Sequence, residues 1–235
     1  MPDLGPFELD TIVVGDCLDV MRQMPDGCVD AVITDPPYGI GMFQKDTEQW
    51  GFLDDIHRIL ADDALLYVFC GDTCYVNARL AFEAIFTFRR TLIWERAVGH
   101  GGNDFQLCHE YILYGWKGKP EIDRPMRQAT SQASLRLGRT TVGEKTVLRT
   151  PSFNSTTSER CGHPTQKPEA LLEKLAGTVS VPAIIFDPFM GSGTTAVAAK
   201  KLGRHYFGCD INPEYVEMAR KRVAKVDGVQ LELAV

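Results

Sequence analysis

Asp35-Pro36-Pro37-Tyr38 is the stretch of this sequence whose residue types are best suited to chemistry. It follows an apolar run, residues 29–34, that is typical of a buried strand in a parallel sheet. In open α/β sheets, ligands bind at the carboxyl ends of such strands. Proline restricts its own backbone and that of the preceding residue, so Asp35 and Pro36 are both held extended. The Asp35 carboxylate and the Pro36 carbonyl can then accept hydrogen bonds beside the Tyr38 ring, which suits a planar ligand with an exocyclic amino group.

The tetrapeptide on its own is also consistent with a tight turn that Asp35 caps. A second motif is therefore needed to distinguish a binding site from such a turn. Residues 186–195 (FDPFMGSGTT) follow another apolar run and lead into an alanine-rich helix. Gly191 and Gly193 allow the backbone to pass close to a ligand, and the N-terminus of the helix offers N–H donors. Asp210 ends the next apolar run, 23 residues beyond Asp187, where a carboxylate can bind a ribose diol. Together the two motifs predict a bound cofactor beside the amine-binding site.

A dinucleotide site is the competing interpretation, because Gly191, Gly193 and Ala196 fit the pattern G-x-G-x-x-A. Dinucleotide folds usually place this turn near the N-terminus of their domain, with no D-P-P-Y motif before it. An aspartate before the turn, here Asp187, is also unfavourable beside a pyrophosphate but suits a cofactor with an α-amino group. The motif order and the residue types therefore favour a different cofactor.

Apolar runs alternate with helical patterns along the chain, which predicts an α/β fold with a mostly parallel sheet and helices on both faces. Strands are expected near residues 11–14, 29–34, 64–70, 90–94, 110–115, 183–187 and 204–210, and helices near 52–60, 74–85, 171–175, 194–202 and 213–226. We expect one domain, residues 1–235, with an insertion at residues 117–162 where regular periodicity fades. Residues 39–49 are expected to form a mobile loop over the site.

The expected insertion is basic although the whole chain is acidic. Nine Lys/Arg and four acidic residues between positions 117 and 160 give this segment a formal charge of +5, against −6 for the chain. A basic patch on an acidic body is compatible with phosphate binding, and a solvated polar loop is an equally open interpretation.

The amino-acid composition limits the classes of protein to which this chain can belong. Apolar residues make up 44% and charged residues 24% of the chain, as in ordinary globular proteins. Seven scattered cysteines without a CxxC pair predict reduced thiols and no zinc site, and no metal is expected. No apolar run reaches transmembrane length and no leader pattern is present, so we expect a cytoplasmic protein without membrane contact.

Five segments resemble the β class of S-adenosylmethionine-dependent DNA amino-methyltransferases, in which the catalytic motif precedes the cofactor motif. They are Gly15-Asp16-Cys17-Leu18, Asp35-Pro36-Pro37-Tyr38, residues 163–168 (HPTQKP), residues 186–195 and residues 206–210 (YFGCD). The resemblance, which spans residues 15–223, implies a permuted Rossmann-like methyltransferase sheet whose N-terminal strands are the later strands of the usual order. It also implies that the short basic insertion is the target-recognition segment, with further DNA contacts from the loop after Tyr38, from residues 99–103 or from a second subunit.

The resemblance implies a reaction in which a methyl group passes from S-adenosylmethionine to a base amine of double-stranded DNA, after the base has been flipped out of the helix. Asp35 and the Pro36 carbonyl, in the rigid loop that Pro37 completes, would accept the amino hydrogens, and Tyr38 would stack on the base. An ordinary carboxylate is too weak a base to deprotonate an aryl amine. We therefore expect methyl transfer to the neutral amine, with proton loss during or after it.

The same resemblance implies a set of residues around the cofactor. They are Asp16 at the adenine edge, Asp210 at the ribose, Lys167 and Thr194 near the methionine end, Phe189, Gly191 and Gly193 along the cofactor, and Asp187 before the turn. Alternatives stay open for some of them. Asp16 could simply cap a helix, and Lys167 could be an exposed lysine before a proline. His163 fits a loop residue better than a base, and for His109-Glu110 support of a strand is favoured over an acid–base pair.

In this family an aspartate at the first position of the catalytic motif accompanies adenine N6, and a serine accompanies cytosine N4. Asp35 therefore favours adenine, with cytosine N4 as the alternative. Two other functions fit the sequence less well. A protein glutamine methyltransferase would carry N-P-P-Y after its cofactor motif. A non-catalytic DNA-binding relative would be expected to lose Asp35 or the glycine turn. The resemblance is also compatible with a homodimer. The chain length suits a partner of a cognate restriction endonuclease and a phage-borne orphan enzyme equally.

Overall fold

The structure, a computed structural model, describes residues 3–37, 50–100, 105–118, 146–150 and 159–226, without the side chains of residues 97–100. Tyr38, the expected loop at residues 39–49 and most of the expected insertion lie outside these ranges. Within the described ranges, no helix is long and apolar enough to cross a membrane.

Strands and helices alternate through most of the described chain. The strands are β1 (Thr11–Val14), β2 (Val29–Thr34), β3 (Leu60–Cys70), β4 (Thr87–His100), β5 (Leu107–Trp116), β6 (Val147–Arg149), β7 (Ile184–Asp187) and β8 (His205–Asp210). The helices are α1 (Cys17–Gln23), α2 (Phe52–Ile59), α3 (Tyr75–Ile85), α4 (Glu169–Ala176), α5 (Thr194–Lys201) and α6 (Pro213–Ala224), with a 3-10 turn at Asp72–Cys74.

The described strands form one sheet in the order β1-β8-β7-β2-β3-β5-β4-β6. Five of the seven neighbouring pairs among these strands are parallel, and β5 runs antiparallel to both β3 and β4. Strands β7 and β8, which come late in the sequence, lie between β1 and β2. The mostly parallel sheet and its permuted strand order are thus confirmed.

Helices cover both faces of this sheet. In β2, Ala31 and Ile33 belong to one apolar cluster together with residues of α4, α5 and α6. Val32 points to the opposite face, where it packs in a second cluster with residues of α1, α2 and α3. All the buried positions of β2 except Thr34 are apolar, as is typical of a strand covered on both faces, and the bounds of the strand agree with the prediction.

Two elements differ from the prediction. Strand β3 starts at Leu60, directly after α2, four residues before the expected start of the strand at residue 64. Strand β6 falls within the expected insertion and pairs in parallel with β4, where the Ile93 N–H donates to the Thr146 carbonyl over 2.8 Å. A three-residue strand is too short to show an alternation of apolar and polar residues in the sequence. It forms here because the edge of β4 has unpaired backbone N–H and C=O groups.

Candidate active site

The two sequence motifs meet at one edge of the sheet. Strands β2, β7, β8 and β1 are mutually parallel neighbours, so their carboxyl ends lie side by side. Asp35 follows β2, the turn at residues 188–193 follows β7, Asp210 ends β8 and Asp16 follows β1. The structure therefore brings together residues that are up to 194 positions apart, as the two-motif prediction requires.

Asp187 joins the two motifs through a buried hydrogen-bond network. Thr34, the residue before Asp35, donates its hydroxyl to Asp187 Oδ1 over 2.9 Å. The Thr195 hydroxyl donates to Oδ2 over 2.7 Å, and the Phe189 N–H donates to Oδ1 over 3.1 Å. The described hydrogen bonds of this carboxylate therefore go to the end of β2, to the first turn of α5 and to the loop between β7 and α5, and they hold that loop against β2.

Burial raises the pKa of Asp187 to about 7, although the hydrogen bonds from Thr195, Phe189 and Thr34 oppose that effect. The unfolded chain has an ordinary aspartate, so between about pH 4 and pH 7 the folded state binds the extra proton. The free energy of unfolding therefore decreases as pH rises through this window.

We expect this loss to disappear in Asp187→Asn, which has no proton to exchange. Relative to that variant, the wild type should lose about 2–4 kcal/mol of unfolding free energy between pH 4 and pH 8. Urea unfolding at a series of pH values measures the difference. Asp19→Asn, at a mostly exposed carboxylate, is the matched control and should follow the wild type. Parallel curves for wild type and Asp187→Asn would contradict the assignment.

The glycines of the turn serve close packing as well as backbone shape. Gly193 has φ +79°, and a Cβ there would lie 2.6 Å from the Ala219 Cβ on α6. Gly191 has φ +50°, and a Cβ there would lie 3.2 Å from His163 Nε2. His163 is buried against the turn and its ring packs edge-on against Tyr215. Burial lowers the pKa of His163, which favours its neutral imidazole form.

Arg222, which the sequence interpretation missed, holds the end of this turn. Its guanidinium donates to the Ser192 carbonyl over 2.8 Å and to the Thr194 hydroxyl over 3.0 Å, and it pairs with Glu169 at 2.6 Å. The Lys201 ammonium also pairs with Glu169, at 2.6 Å. Nothing in the local sequence marks this arginine, because it comes from the last turn of α6 and acts on a loop about 30 residues earlier.

Asp210 and Asp16 lie next to each other on neighbouring strand ends. Asp210 accepts hydrogen bonds from the Gly191 and Asn212 N–H groups, each over 2.8 Å. Asp16 caps α1 by accepting from the N–H groups of Leu18 and Asp19, so the capping role is confirmed. A carboxylate has about four acceptor positions, so both side chains can accept further hydrogen bonds from a ligand.

Asp35 is held by an ion pair with Lys167 that the sequence interpretation did not include. The Lys167 ammonium contacts Asp35 Oδ2 and lies 3.2 Å from Glu110 Oε2. Its side chain is 9% exposed, with Nζ 5.2 Å from the ring centroid of Phe69 and 6.0 Å from that of Trp94. Burial by itself lowers the pKa of Lys167, but the carboxylates of Asp35 and Glu110 outweigh it and the pKa is raised. The interpretation of Lys167 as an exposed lysine is wrong.

The other residues predicted to be catalytic are described in part. Pro36 is buried and Pro37 half-buried, which agrees with a rigid loop after β2. Tyr38 lies outside the described residues, and its stacking role stays a prediction. Among the described residues, no group of three or more His, Cys, Asp or Glu side chains is arranged to hold a metal ion.

Comparison with known proteins identifies the family. Residues 29–221 match the family N6_N4_Mtase, described as DNA methylase. This chain belongs to that DNA methylase family. Type II methyltransferase M.BglII of Bacillus subtilis is 31% identical to it over 90% of this chain and 68% of its own length. Type II methyltransferase M.HpaI of Haemophilus parainfluenzae is 28% identical over 90% of this chain and 73% of its own length.

Solved structures support the same assignment. The present chain superimposes on the M1.HpyAVI chain of the M1.HpyAVI–SAM complex with a TM-score of 0.67 and 25% identity. The superposition covers 91% of the present chain and 98% of the M1.HpyAVI chain. PvuII DNA methyltransferase, described as cytosine-N4-specific, has the same fold, with a TM-score of 0.73 at 15% identity over 96% of this chain and 89% of that chain. The fold is therefore shared with a cytosine enzyme and does not by itself select the target base.

Proposed function

We propose that this DNA methylase is a β-class enzyme that transfers a methyl group from S-adenosylmethionine to N6 of adenine in double-stranded DNA, with the target base flipped into the site. The observation that carries the proposal is the 2.9 Å hydrogen bond from Thr34 to Asp187. It joins the residue before Asp35 to the residues before the glycine turn. Methyl donor and acceptor have to come within bonding distance, and a direct contact between the two motifs supports adjacent binding sites for them.

The residues at the carboxyl edge of the sheet fit S-adenosylmethionine. Asp210 can accept hydrogen bonds from ribose hydroxyls, and Asp16 on the neighbouring strand end can accept from the adenine amino group. Ile211 is 72% exposed beside Asp210 and offers an apolar surface to a purine ring. The turn at residues 188–193 would border the methionine part, with Phe189 and Thr194 at its two ends. When bound, the cofactor supplies an electrophilic methyl group on a positively charged sulfur.

The protein's task is to orient and stabilise the amine. Asp35 and the Pro36 carbonyl accept its two hydrogens, which directs the nitrogen lone pair away from them and towards the methyl group. Positive charge develops on the nitrogen during transfer, and the Asp35 carboxylate stabilises it in a site with little water. Because an aspartate cannot deprotonate an aryl amine in advance, the proton leaves after the carbon–nitrogen bond has begun to form.

Asp35 at the first motif position supports adenine over cytosine, by the family pattern in which a serine accompanies cytosine N4. The test is transfer of labelled methyl to unmethylated double-stranded DNA, with nucleoside analysis and mapping of the modified positions. N6-methyladenine at a defined sequence is the expected product. If the product were N4-methylcytosine, the proposed target base would be wrong and the proposed reaction would stand. If no DNA were methylated, the whole proposal would be overturned.

A further inference from the structure

Glu110, in β5, belongs to none of the five motifs, yet it reaches the proposed active site. The strand pairing places it opposite Trp94, where β4 and β5 pass the carboxyl end of β3. Its side chain is 13% exposed. Oε1 accepts from Arg96 Nη1 over 3.2 Å, and Oε2 lies 3.2 Å from Lys167 Nζ. Oε2 has no hydrogen bond of good geometry among the described residues. The Lys167 ammonium is therefore the described group that compensates the charge of this buried oxygen, and the ion pair links Glu110 to the proposed site.

Four charged side chains form a chain of alternating sign: Asp35, Lys167, Glu110 and Arg96. The Lys167 ammonium therefore has two carboxylate partners, one in the catalytic motif and one outside it. Arg96 extends the chain by donating to the Leu107 carbonyl over 3.3 Å, which anchors it to the β4–β5 hairpin. Since Glu110 is attached to both Arg96 and Lys167, it links the position of the ammonium to a rigid pair of strands.

We propose that Glu110 is a positioning residue for methyl transfer: it shares the Lys167 ammonium with Asp35, and so fixes the ammonium in place and the Asp35 carboxylate in its orientation towards the target amine. This inference rests on the proposed function. A buried ammonium paired with Asp35 alone would cancel the charge that has to stabilise the developing positive nitrogen. Glu110 gives the ammonium a second carboxylate partner, so less of the ammonium charge is directed at Asp35, and Arg96, at the other carboxylate oxygen of Glu110, brings the sum of the four charges to zero. It gains no proton and forms no bond during the reaction.

The proposal predicts that Glu110→Gln, which keeps the shape and removes the charge, impairs the chemical step. The single-turnover rate of methyl transfer should fall about 10- to 100-fold, because one unit of charge is lost at a few ångströms from Lys167 in a poorly solvated site. The dissociation constant for DNA should stay unchanged. Base flipping, measured as the rise in fluorescence of a duplex with 2-aminopurine at the mapped target base, should also stay unchanged. Glu110→Asp, which keeps the charge, should recover part of the rate.

Glu83→Gln is the matched control, since Glu83 also pairs with an arginine, Arg79 at 2.6 Å, but lies on α3 without a described contact to Lys167. It should transfer methyl groups at the wild-type rate. A second readout, the free energy of unfolding in urea, needs neither cofactor nor DNA. The losses in Glu110→Gln and Lys167→Met should not add up to the loss in the double variant. The losses in Glu83→Gln and Lys167→Met should add up to the loss in their double variant.

The outcomes separate this role from the proposed function. A wild-type single-turnover rate in Glu110→Gln, with Asp35→Ala inactive, would overturn the positioning role and leave the methyltransferase proposal intact. An additive unfolding cycle for Glu110 and Lys167 would also overturn it. Absence of transfer by the wild type would overturn the proposed function, whatever the unfolding cycle gives.

Discussion

Asp35→Ala should transfer methyl groups about 100- to 1,000-fold more slowly than the wild type, which is the size of effect expected when one preorganised charge-stabilising group is removed. In the proposed reaction, Asp35 has two functions. Its carboxylate would accept an amine hydrogen and thereby orient the lone pair, and its negative charge would stabilise the positive charge that develops on the nitrogen. Alanine removes both functions, while Glu110 still pairs with the Lys167 ammonium at 3.2 Å.

Single-turnover transfer of labelled methyl, with cofactor and DNA both saturating, isolates the chemical step from binding. Asp35→Asn separates shape from charge, because its amide oxygen can still accept one hydrogen bond, and its rate should lie between those of Asp35→Ala and the wild type. Asp62→Ala is the matched control at a carboxylate that is 94% exposed, near the start of β3, and it should be fully active. An Asp35→Ala protein that is folded and transfers at nearly the wild-type rate would exclude Asp35 from the reaction.

The parts of the site that follow strands could be predicted from sequence, because a strand end is a local pattern. The run at residues 29–34 is apolar except for Asp30 and Thr34, and two prolines follow Asp35, so both β2 and the position of Asp35 could be predicted directly. The turn after β7 is similarly marked by its glycines. Parallel pairing then places both at one edge, a consequence of fold class that needs no individual contact.

The contacts that complete the site could not be predicted in this way. Lys167 meets Asp35 across 132 positions of sequence, and Glu110 approaches from an antiparallel strand pair that has no periodic link to either motif. Arg222 likewise acts on Ser192 and Thr194 from a different element. Periodicity reports which face of an element is buried, but it does not report which charged groups meet when the elements pack.

Lys167→Met is the second large effect that we expect, and here both stability and rate should fall. Methionine matches the length of the lysine side chain but leaves the Asp35 and Glu110 carboxylates without the cation between them. Removing one partner of a buried ion pair costs about 3–5 kcal/mol, because the remaining charge is left without compensation. Protonation of one carboxylate would relieve the cost. The loss of stability should therefore be smaller at pH 5 than at pH 8.

Urea unfolding at the two pH values measures this loss, and single-turnover transfer measures the rate. Lys221→Met is the matched control, since Lys221 is 69% exposed in an i,i+4 pair with Glu217 on α6, and such surface pairs contribute little. Lys167→Arg keeps the charge but needs more space near Phe69 and Trp94, so it should recover stability only in part. If Lys167→Met were as stable as Lys221→Met at pH 8, the ammonium would not be the group that compensates Asp35 and Glu110.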